Sequence, residues 1–221
     1  MRTWIRDNGL TTALLTLFAA SLVGQVFSGW AQENESLAEH GQAVLTLRGF
    51  LTSGEFLSTL FENWESEFLQ MWAYVMLTAF LFQRGSPESK DPDEPSPQDR
   101  DPGLDSLNPD APAPVRKGGM IARLYAHSLG LAMMTLFLIS FVLHWLNSAR
   151  VQAQEAIQHG EPPPGMLEHL THPQLWFESF QNWQSEFLST AVLVVLGIYL
   201  RERGSPESKP VAAPHRQTGG G

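Results

Sequence analysis

The sequence predicts an all-α integral membrane protein with four transmembrane helices, arranged as two parallel two-helix repeats that are joined by a disordered cytoplasmic linker. Three observations predict this fold class. The chain contains one segment twice, each copy has a long apolar stretch near both of its ends, and most Lys and Arg residues lie on one side of those stretches. We expect a first repeat at residues 1–90, a linker at 91–119, a second repeat at 120–209 and a disordered tail at 210–221.

The duplication is visible without gaps. Residues 61–69 read FENWESEFL and residues 180–188 read FQNWQSEFL, at an offset of 119 residues (180 minus 61). The same offset relates the run RGSPESK at 84–90 to an identical run at 203–209, and His40-Gly41 to His159-Gly160. A constant offset over such runs indicates that one structural unit is used twice.

The first span of each repeat is predicted from a long apolar run. Leu10–Trp30 carries no charge and has about the ~20 residues that a helix needs to cross a bilayer. Leu124–Asn147 is its copy. A cleaved signal peptide is the alternative for the first run, since Arg2 and Arg6 precede it and Ala31 follows it. The duplication favours retention, because the equivalent segment of the second copy is internal.

The second span of each repeat has a shorter apolar core, at Phe68–Phe82 and Phe187–Leu200. Both helices are expected to begin well before these cores, because each core is preceded by a capping box. In this motif a hydroxyl side chain at the N-cap is followed three residues later by Glu or Gln. The predicted caps are Thr52 (with Glu55) and Thr171 (with Gln174) at the N-termini, and Gly85 and Gly204 at the C-termini. The expected helices have about 30 residues and a length of roughly 45 Å.

The distribution of Lys and Arg predicts the orientation. Of the 14 basic residues, only Arg48 and Arg150 lie on one side of the predicted spans, and the other 12 lie on the opposite side. Cytoplasmic loops carry the excess of basic residues, so both termini and the linker are predicted to be cytoplasmic in a multi-pass inner-membrane protein. Each repeat then crosses outward and back, and the two repeats run in the same sense.

The linker is predicted to be disordered from its composition. Residues 85–118 contain eight Pro and eight Asp or Glu with few large apolar side chains. Such a segment cannot bury enough apolar surface to offset its loss of chain entropy. We interpret it as a tether between the repeats.

Composition argues against several function classes. The net charge of −9 disfavours nucleic acid as a partner, and the absence of Cys excludes disulfides and thiol catalysis. No glycine-rich phosphate loop, G-x-S-x-G or H-E-x-x-H motif is present, so no cofactor or metal is predicted. Surface-loop histidines explain His40, His159, His169 and His172 better than metal ligation. The predicted partners are the lipid bilayer and a second copy of the chain in a homodimer.

Polar residues interrupt the apolar face of the second span. On a helical projection of residues 56–68, Glu67 falls within a stripe of apolar side chains, and Asn63 lies one turn away at its edge. Glu62 and Glu65 fall outside the stripe and become Gln in the second copy, whereas the equivalents of Asn63 and Glu67 are kept. By depth along the helices, Gln25 and His144 reach a similar level. The predicted polar layer consists of Glu67, Glu186, Asn63, Asn182, His144 and Gln25.

Two interpretations of these residues stay open. An ionisable side chain inside a membrane faces the bundle interior and has a partner, so the layer could handle protons or cations. If the bilayer begins near residue 68 or 187 instead, the two glutamates lie among lipid headgroups. Trp64 and Trp183 are then aromatic anchors at the membrane interface.

The run FENWESEFLQ, the run FQRGSPESK and the His-Gly pair in the first outer loop together resemble a family of small bacterial membrane proteins catalogued as a domain of unknown function. The resemblance covers nearly all of the chain outside the linker and tail. It implies a multi-span bacterial inner-membrane protein and assigns no activity or binding residue.

These observations favour a non-enzymatic structural or accessory membrane protein. The alternative is a small oligomeric transporter or channel for protons or cations that uses the polar layer, and it requires oligomerisation because four helices leave little room for a pore. An intramembrane enzyme is least supported, since the sequence lacks a nucleophile–base signature.

Overall fold

The computed structural model describes residues 2–219, and over this range the chain is helical and has no β-strand. The predicted all-α class is confirmed. The helices are α1 (Arg2–Glu39), α2 (Leu47–Leu51), α3 (Gly54–Phe80), α4 (Ala113–Lys117), α5 (Gly119–Ala126), α6 (Ser128–Gln158) and α7 (Pro173–Tyr199). By length and composition, α1 and α6 are two helices that could cross a membrane.

The chain forms two compact units. The first contains the chain up to Leu60 together with Leu143–His169, and the second contains Phe61–Val142 together with the chain from Leu170 onward. Each unit therefore takes residues from both sequence repeats, and α3 and α6 contribute to both units.

Helices α1 and α6 end in the same way, at the repeated His-Gly pair. Gly41 and Gly160 adopt positive φ angles of 67° and 74°. The amide after each glycine donates to a carbonyl five residues earlier, both at 2.8 Å, in the pairs Gln42 with Leu37 and Glu161 with Ala156. This is the hydrogen-bond pattern of a Schellman C-cap. In both copies the histidine Nδ1 lies 2.8 Å from the carbonyl four residues earlier, so these exposed histidines belong to the caps.

The N-caps of α3 and α7 lie one residue later than the sequence predicts. Ser53, not Thr52, accepts a hydrogen bond from the amide of Phe56 at 3.2 Å, because Thr52 ends the short α2 that precedes α3. In the second copy His172 replaces Thr171 as the cap, since Pro173 begins the helix. His172, which the sequence analysis interprets as a surface-loop histidine, thus lies at the end of the loop and caps α7.

The predicted C-terminal glycine caps are also wrong. Helix α3 ends at Phe80 and α7 at Tyr199, and each has 27 residues rather than about 30. Gly85 and Gly204 lie five residues beyond these ends, in tight turns with φ angles of 86° and 91°. The two glycines therefore shape the RGSPESK turns rather than the helix ends.

The first unit is organised around Phe50, which is 3% exposed. Its ring packs against Gly29 of α1, where an added Cβ would lie 2.9 Å from the ring, and against the ring of Phe56. The loop before α2 is fastened to α1, because the indole of Trp30 donates to the carbonyl of Leu45 at 2.7 Å.

The linker contains local structure. Short 3-10 turns occur at Pro97–Asp99 and Pro102–Asp105, followed by α4. Its contacts include an ion pair between the largely buried side chain of Lys90 and the exposed Asp99. Its disorder stays a prediction.

The C-terminal tail, for which the sequence also predicts disorder, contacts the first RGSPESK turn in the structure. The Gly85 amide donates to Thr218 Oγ1 at 2.9 Å, and the Gly219 amide donates to the carbonyl of Ser86 at 2.9 Å. Lys209 is 1% exposed, and its ammonium donates to the carbonyls of Gly85, His215 and Gln217. Burial and the nearby Arg201 charge lower the pKa of Lys209.

A polar seam between two parallel helices

In the second unit, α3 and α7 lie side by side and run in the same direction. Glu62 contacts Asn182, and eight residues further along α3, Gln70 contacts Thr190. Both pairs are separated by 120 residues in sequence, so the contacts advance together along the two helices. We call the hydrogen-bonded residues of this interface the seam: Glu62, Glu65, Gln70, Ser179, Asn182, Trp183 and Thr190.

Glu65 is the central residue of the seam, and its relative exposure is 0%. Its Oε1 accepts a hydrogen bond from Ser179 Oγ at 2.7 Å and a second from Trp183 Nε1 at 3.2 Å. Both of these donors are uncharged groups, and Ser179 is itself fully buried. A buried carboxyl group is tolerated only when such hydrogen bonds replace those lost from water.

The hydrogen bonds on either side of Glu65 also join polar side chains. Asn182 Nδ2 donates to Glu62 Oε1, and Gln70 Nε2 donates to Thr190 Oγ1. Hydrogen bonds between polar side chains are a general means of holding helices together where water is excluded.

An aromatic cluster packs beside the seam. The ring of Trp183 lies 5.3 Å from that of Phe180 and 6.3 Å from those of Trp176 and Phe137. Trp183, predicted as an interface anchor, thus donates its indole N–H within the unit. Trp64, the other predicted anchor, is half-buried and meets Phe61 edge to face at 5.5 Å.

The predicted polar layer is distributed over both units. Glu67 and Asn63 are exposed, and Glu186 and Asn182 are half-buried, all four in the second unit. Gln25 and His144 belong to the first unit, where Gln25 is half-buried and His144 is fully buried. The grouping of these residues in one layer stays a prediction.

The buried carboxylate, Glu65, is a residue that the sequence reasoning missed. The projection placed Glu65 outside the apolar stripe, and that stripe was assumed to face the interior. Where lipid surrounds a bundle, apolar side chains face outward and polar ones face other helices. Two features of the sequence could have identified Glu65. It lies away from the apolar stripe, and the other helix carries a polar residue, Ser179, that can bind it.

His169 was also misinterpreted as a surface-loop histidine. It is 1% exposed in the first unit. Its Nε2 lies 3.0 Å from Ser148 Oγ, and its Nδ1 contacts Gln152 Oε1. Ser148 and Gln152 are four residues apart on α6 and so lie on one face of the helix, against which the loop folds. Within residues 2–219, no group of three or more His, Asp or Glu side chains is arranged to hold a metal ion.

Comparison with known families gives a match to nearly the whole chain. Residues 1–220 match a family model described as a domain of unknown function, DUF6766. The chain belongs to this family. The match confirms the resemblance seen in the repeated runs, while the bacterial origin and the multi-span topology stay predictions. No curated protein and no solved structure gives a significant match.

Proposed function

We propose that this DUF6766 chain is a multi-pass inner-membrane protein in which α1, α3, α6 and α7 are the spans. The share of residues buried inside the protein is 0% in the most apolar 18-residue stretch of α1 and 17% in that of α6. Such exposed apolar surface is suited to contact with lipid. Helices α3 and α7 are about 40 Å long at ~1.5 Å per residue, enough to cross. Their later turns expose the large apolar side chains of Met71, Leu77, Phe80, Leu188, Val192, Leu193 and Leu196.

The two halves then form parallel repeats related by an axis along the membrane normal. This arrangement is supported by the common direction of α3 and α7 in the second unit and by the identical C-caps of α1 and α6. With 12 of 14 basic residues on one side, both termini and the linker are cytoplasmic.

The function that the seam supports best is proton transfer along α3 and α7. The observation that carries this proposal is Glu65, a fully buried carboxyl group that accepts hydrogen bonds from the neutral donors Ser179 and Trp183, in a helix that we propose to span the membrane. Ionisable residues in such positions mark proton relays and ion pathways. A proton needs only successive hydrogen bonds, whereas a hydrated cation needs a pore that four helices do not provide. Transport of a hydrated cation would therefore require that two chains form a homodimer.

Proton flux into proteoliposomes tests the proposal. Wild-type protein should acidify the lumen under a membrane potential, and Glu65→Gln should abolish this flux while leaving the fold intact, because Gln keeps the shape and can still accept both hydrogen bonds. Glu35→Gln, at an exposed position of α1, is the control and should behave as wild type.

The same assay separates the seam from the predicted polar layer. If the seam carries protons, the double variant Glu67→Gln with Glu186→Gln keeps flux that Glu65→Gln lacks. The opposite result assigns transport to the layer. A wild type that conducts no better than empty liposomes contradicts both versions.

The second candidate is the structural or accessory role, and the observation that favours it is that the seam hydrogen bonds join α3 to α7. In that case polar contacts serve only to associate helices. Wild type without flux, together with loss of assembly on truncation of Glu65, would support this role.

A further inference from the structure

The C-terminal tail, described over residues 210–219, lies against the backbone of the first RGSPESK turn. Thr218 Oγ1 accepts a hydrogen bond from the Gly85 amide at 2.9 Å, and the Gly219 amide donates to the carbonyl of Ser86 at 2.9 Å. Both bonds use main-chain groups of the turn. The tail is therefore docked on the turn in a definite register.

The tail is also bound to the end of α7. The guanidinium of Arg201, just beyond the helix, donates to the carbonyl of Ala213 at 3.0 Å. His215 Nδ1 lies 3.1 Å from the carbonyl of Ile198, and the rings of His215 and Tyr199 are 5.7 Å apart. The docked tail thus connects the end of α7 to the turn that follows α3.

Lys209 fastens the tail to the turn. Its buried ammonium group donates to the carbonyl of Gly85 in the turn, and to those of His215 and Gln217 in the tail at 2.9 and 3.0 Å. A buried ammonium group is tolerated only when hydrogen bonds replace those lost from water, and its three donors match the three carbonyls. Since one cation binds carbonyls on both sides, its removal should free the tail.

The equivalent lysine of the first RGSPESK run has different partners. Lys90 donates to the carbonyl of Ala79 at 2.9 Å and to the carboxylate of Asp99. Neither partner belongs to the tail. The chain therefore contains a matched control for Lys209 in its own repeat.

The tail forms part of the wall of a cavity at the end of α3. This cavity has a volume of about 950 Å³, and three consecutive tail residues, Gln217, Thr218 and Gly219, line it. The other lining residues belong to α3, the first turn and the linker, and they include Glu88. Departure of the tail would remove this part of the wall and open the cavity to solvent.

Tyr74 connects the cavity to the seam. Its hydroxyl donates to Glu88 Oε2 at 3.0 Å, and it lies on α3 four residues after Gln70, one turn further along the same face. Gln70 is the last seam residue of α3. Glu88 therefore lies between the end of the seam and the cavity that the tail helps to enclose.

We propose that the tail is an autoinhibitory gate at the end of the seam, with Lys209 as its fastening. In the docked position it encloses the cavity and slows the exchange of protons between Glu88 and water, and its release opens this route. The docking follows from the contacts of the tail, whereas the gating role rests on the proposed function.

Limited proteolysis of the purified full-length chain measures the docking without reference to transport. Trypsin cleaves after Arg216, which lies between the two tail carbonyls that Lys209 binds, and it releases residues 217–221 as a peptide for mass spectrometry. Cleavage of a docked segment requires local opening. A hydrogen bond to a charged group changes an equilibrium constant by about tenfold or more, so Lys209→Met should accelerate cleavage at least about tenfold. Lys90→Met should be cleaved at the wild-type rate.

A second variant tests the docking at the other end of the tail. Thr218→Val keeps the size of the side chain, removes the acceptor of the Gly85 amide and lies beyond the last helix. It should also accelerate cleavage after Arg216. The docking is refuted if wild type is cleaved as fast as a synthetic peptide of residues 210–221, or if neither variant is cleaved faster than wild type. Equal acceleration by Lys90→Met would refute the specific role of Lys209.

Proton flux in proteoliposomes tests the gate. Lys209→Met and Thr218→Val should each conduct protons faster than wild type, and addition of Glu65→Gln to either should abolish the flux. Faster cleavage with unchanged flux contradicts the gate but not proton transfer along the seam. Increased flux that survives Glu65→Gln is a leak outside the seam and also contradicts the gate. Absence of flux from wild type and from both variants contradicts the proposed function, and the gate with it.

Discussion

At the residue scale, equivalent positions of the two copies have different environments. Glu65 is fully buried, whereas its repeat mate Gln184 is exposed. Glu65 meets Ser179, which donates a hydrogen bond. The repeat mate of Ser179 is Leu60, which offers none, so the reciprocal contact would bury an amide against an apolar side chain. The hydrogen bonds of Glu65 therefore have no counterpart at the equivalent positions of the other copy, although the two copies share one sequence pattern.

Substitution of Glu65 and Gln184 by Leu provides a matched test. Glu65→Leu leaves the Trp183 indole and the Ser179 hydroxyl without their acceptor, at a cost of about 1–3 kcal/mol for each buried unpaired group. Gln184→Leu changes an exposed side chain and should alter stability by less than about 0.5 kcal/mol. Thermal unfolding in detergent measures both, and equal effects of the two variants would contradict the burial of Glu65.

The stability contributed by the Glu88 carboxyl group, whose pKa is raised chiefly by burial, should depend on pH. The folded pKa of Glu88 is raised, so the contribution is fully present below the unfolded pKa of about 4.3 and is lost as pH rises through the folded value. The difference in melting temperature between wild type and Glu88→Gln should therefore shrink with increasing pH. A difference that grows with pH would show that ionised Glu88 is the form that stabilises the fold.

Sequence patterns identified candidate polar residues in the second span but did not identify their partners. Glu67 was selected because it interrupts an apolar stripe, yet it is exposed, and Glu65 on another face is buried. Helical periodicity specifies which residues share a face. It does not specify whether that face meets lipid, water or another helix, because that depends on packing between residues about 115 to 120 positions apart, such as Glu65 and Ser179.

At the element scale, the helices were predictable and their ends were less so. Thr52 and Thr171 were each predicted as caps one residue before the true caps. Hydroxyl, Asn and His side chains near the start of a helix can all accept hydrogen bonds from the same backbone amides. Which of them becomes the N-cap therefore depends on neighbours such as Pro173. The Schellman caps at Gly41 and Gly160 were present in the repeated His-Gly pair but were not recognised.

Gly85 and Gly204 allow the two RGSPESK turns to be compared directly. Ala at Gly204 should cost about 1–2 kcal/mol, because its φ angle of 91° strains any side chain although the space around it is open. Ala at Gly85 has the same backbone strain, and its Cβ would also lie 2.7 Å from the carbonyl of His215. We expect Gly85→Ala to be the more destabilising and to release the tail.

Hydrogen exchange measures that release. Amides at 215–219 should exchange faster in Gly85→Ala than in wild type, with little change in Gly204→Ala. Equal protection of the tail in both variants would show that the tail does not depend on the first turn, and fast exchange in wild type would support the predicted disorder.

At the scale of the whole molecule, the number of spans is the property on which the proposed function depends most. Helices α1 and α6 pass a test of length and hydropathy, and α3 and α7 do not. Polar residues such as Glu65 of α3 and Asn182 of α7 fall within every 18-residue stretch of their helices, and they lower the hydropathy of each stretch. Since Glu65 and Asn182 are hydrogen-bonded to the neighbouring helix along the seam, the low hydropathy is compatible with two further spans.

Reporter fusions at residues 45, 100, 160 and 221 distinguish four spans from two. With four spans and a cytoplasmic N-terminus, the four sites should read outside, inside, outside and inside, as the 12 basic residues on one side require. If only α1 and α6 cross, residue 100 reads outside and residue 160 reads inside. The two middle fusions therefore decide, because their readings are reversed between the models. Agreement at residue 45 alone carries no weight, since both models place it outside. An inside reading at residue 160 would mean that α7 does not cross the membrane. It would then remove the physical basis for a buried proton path at Glu65.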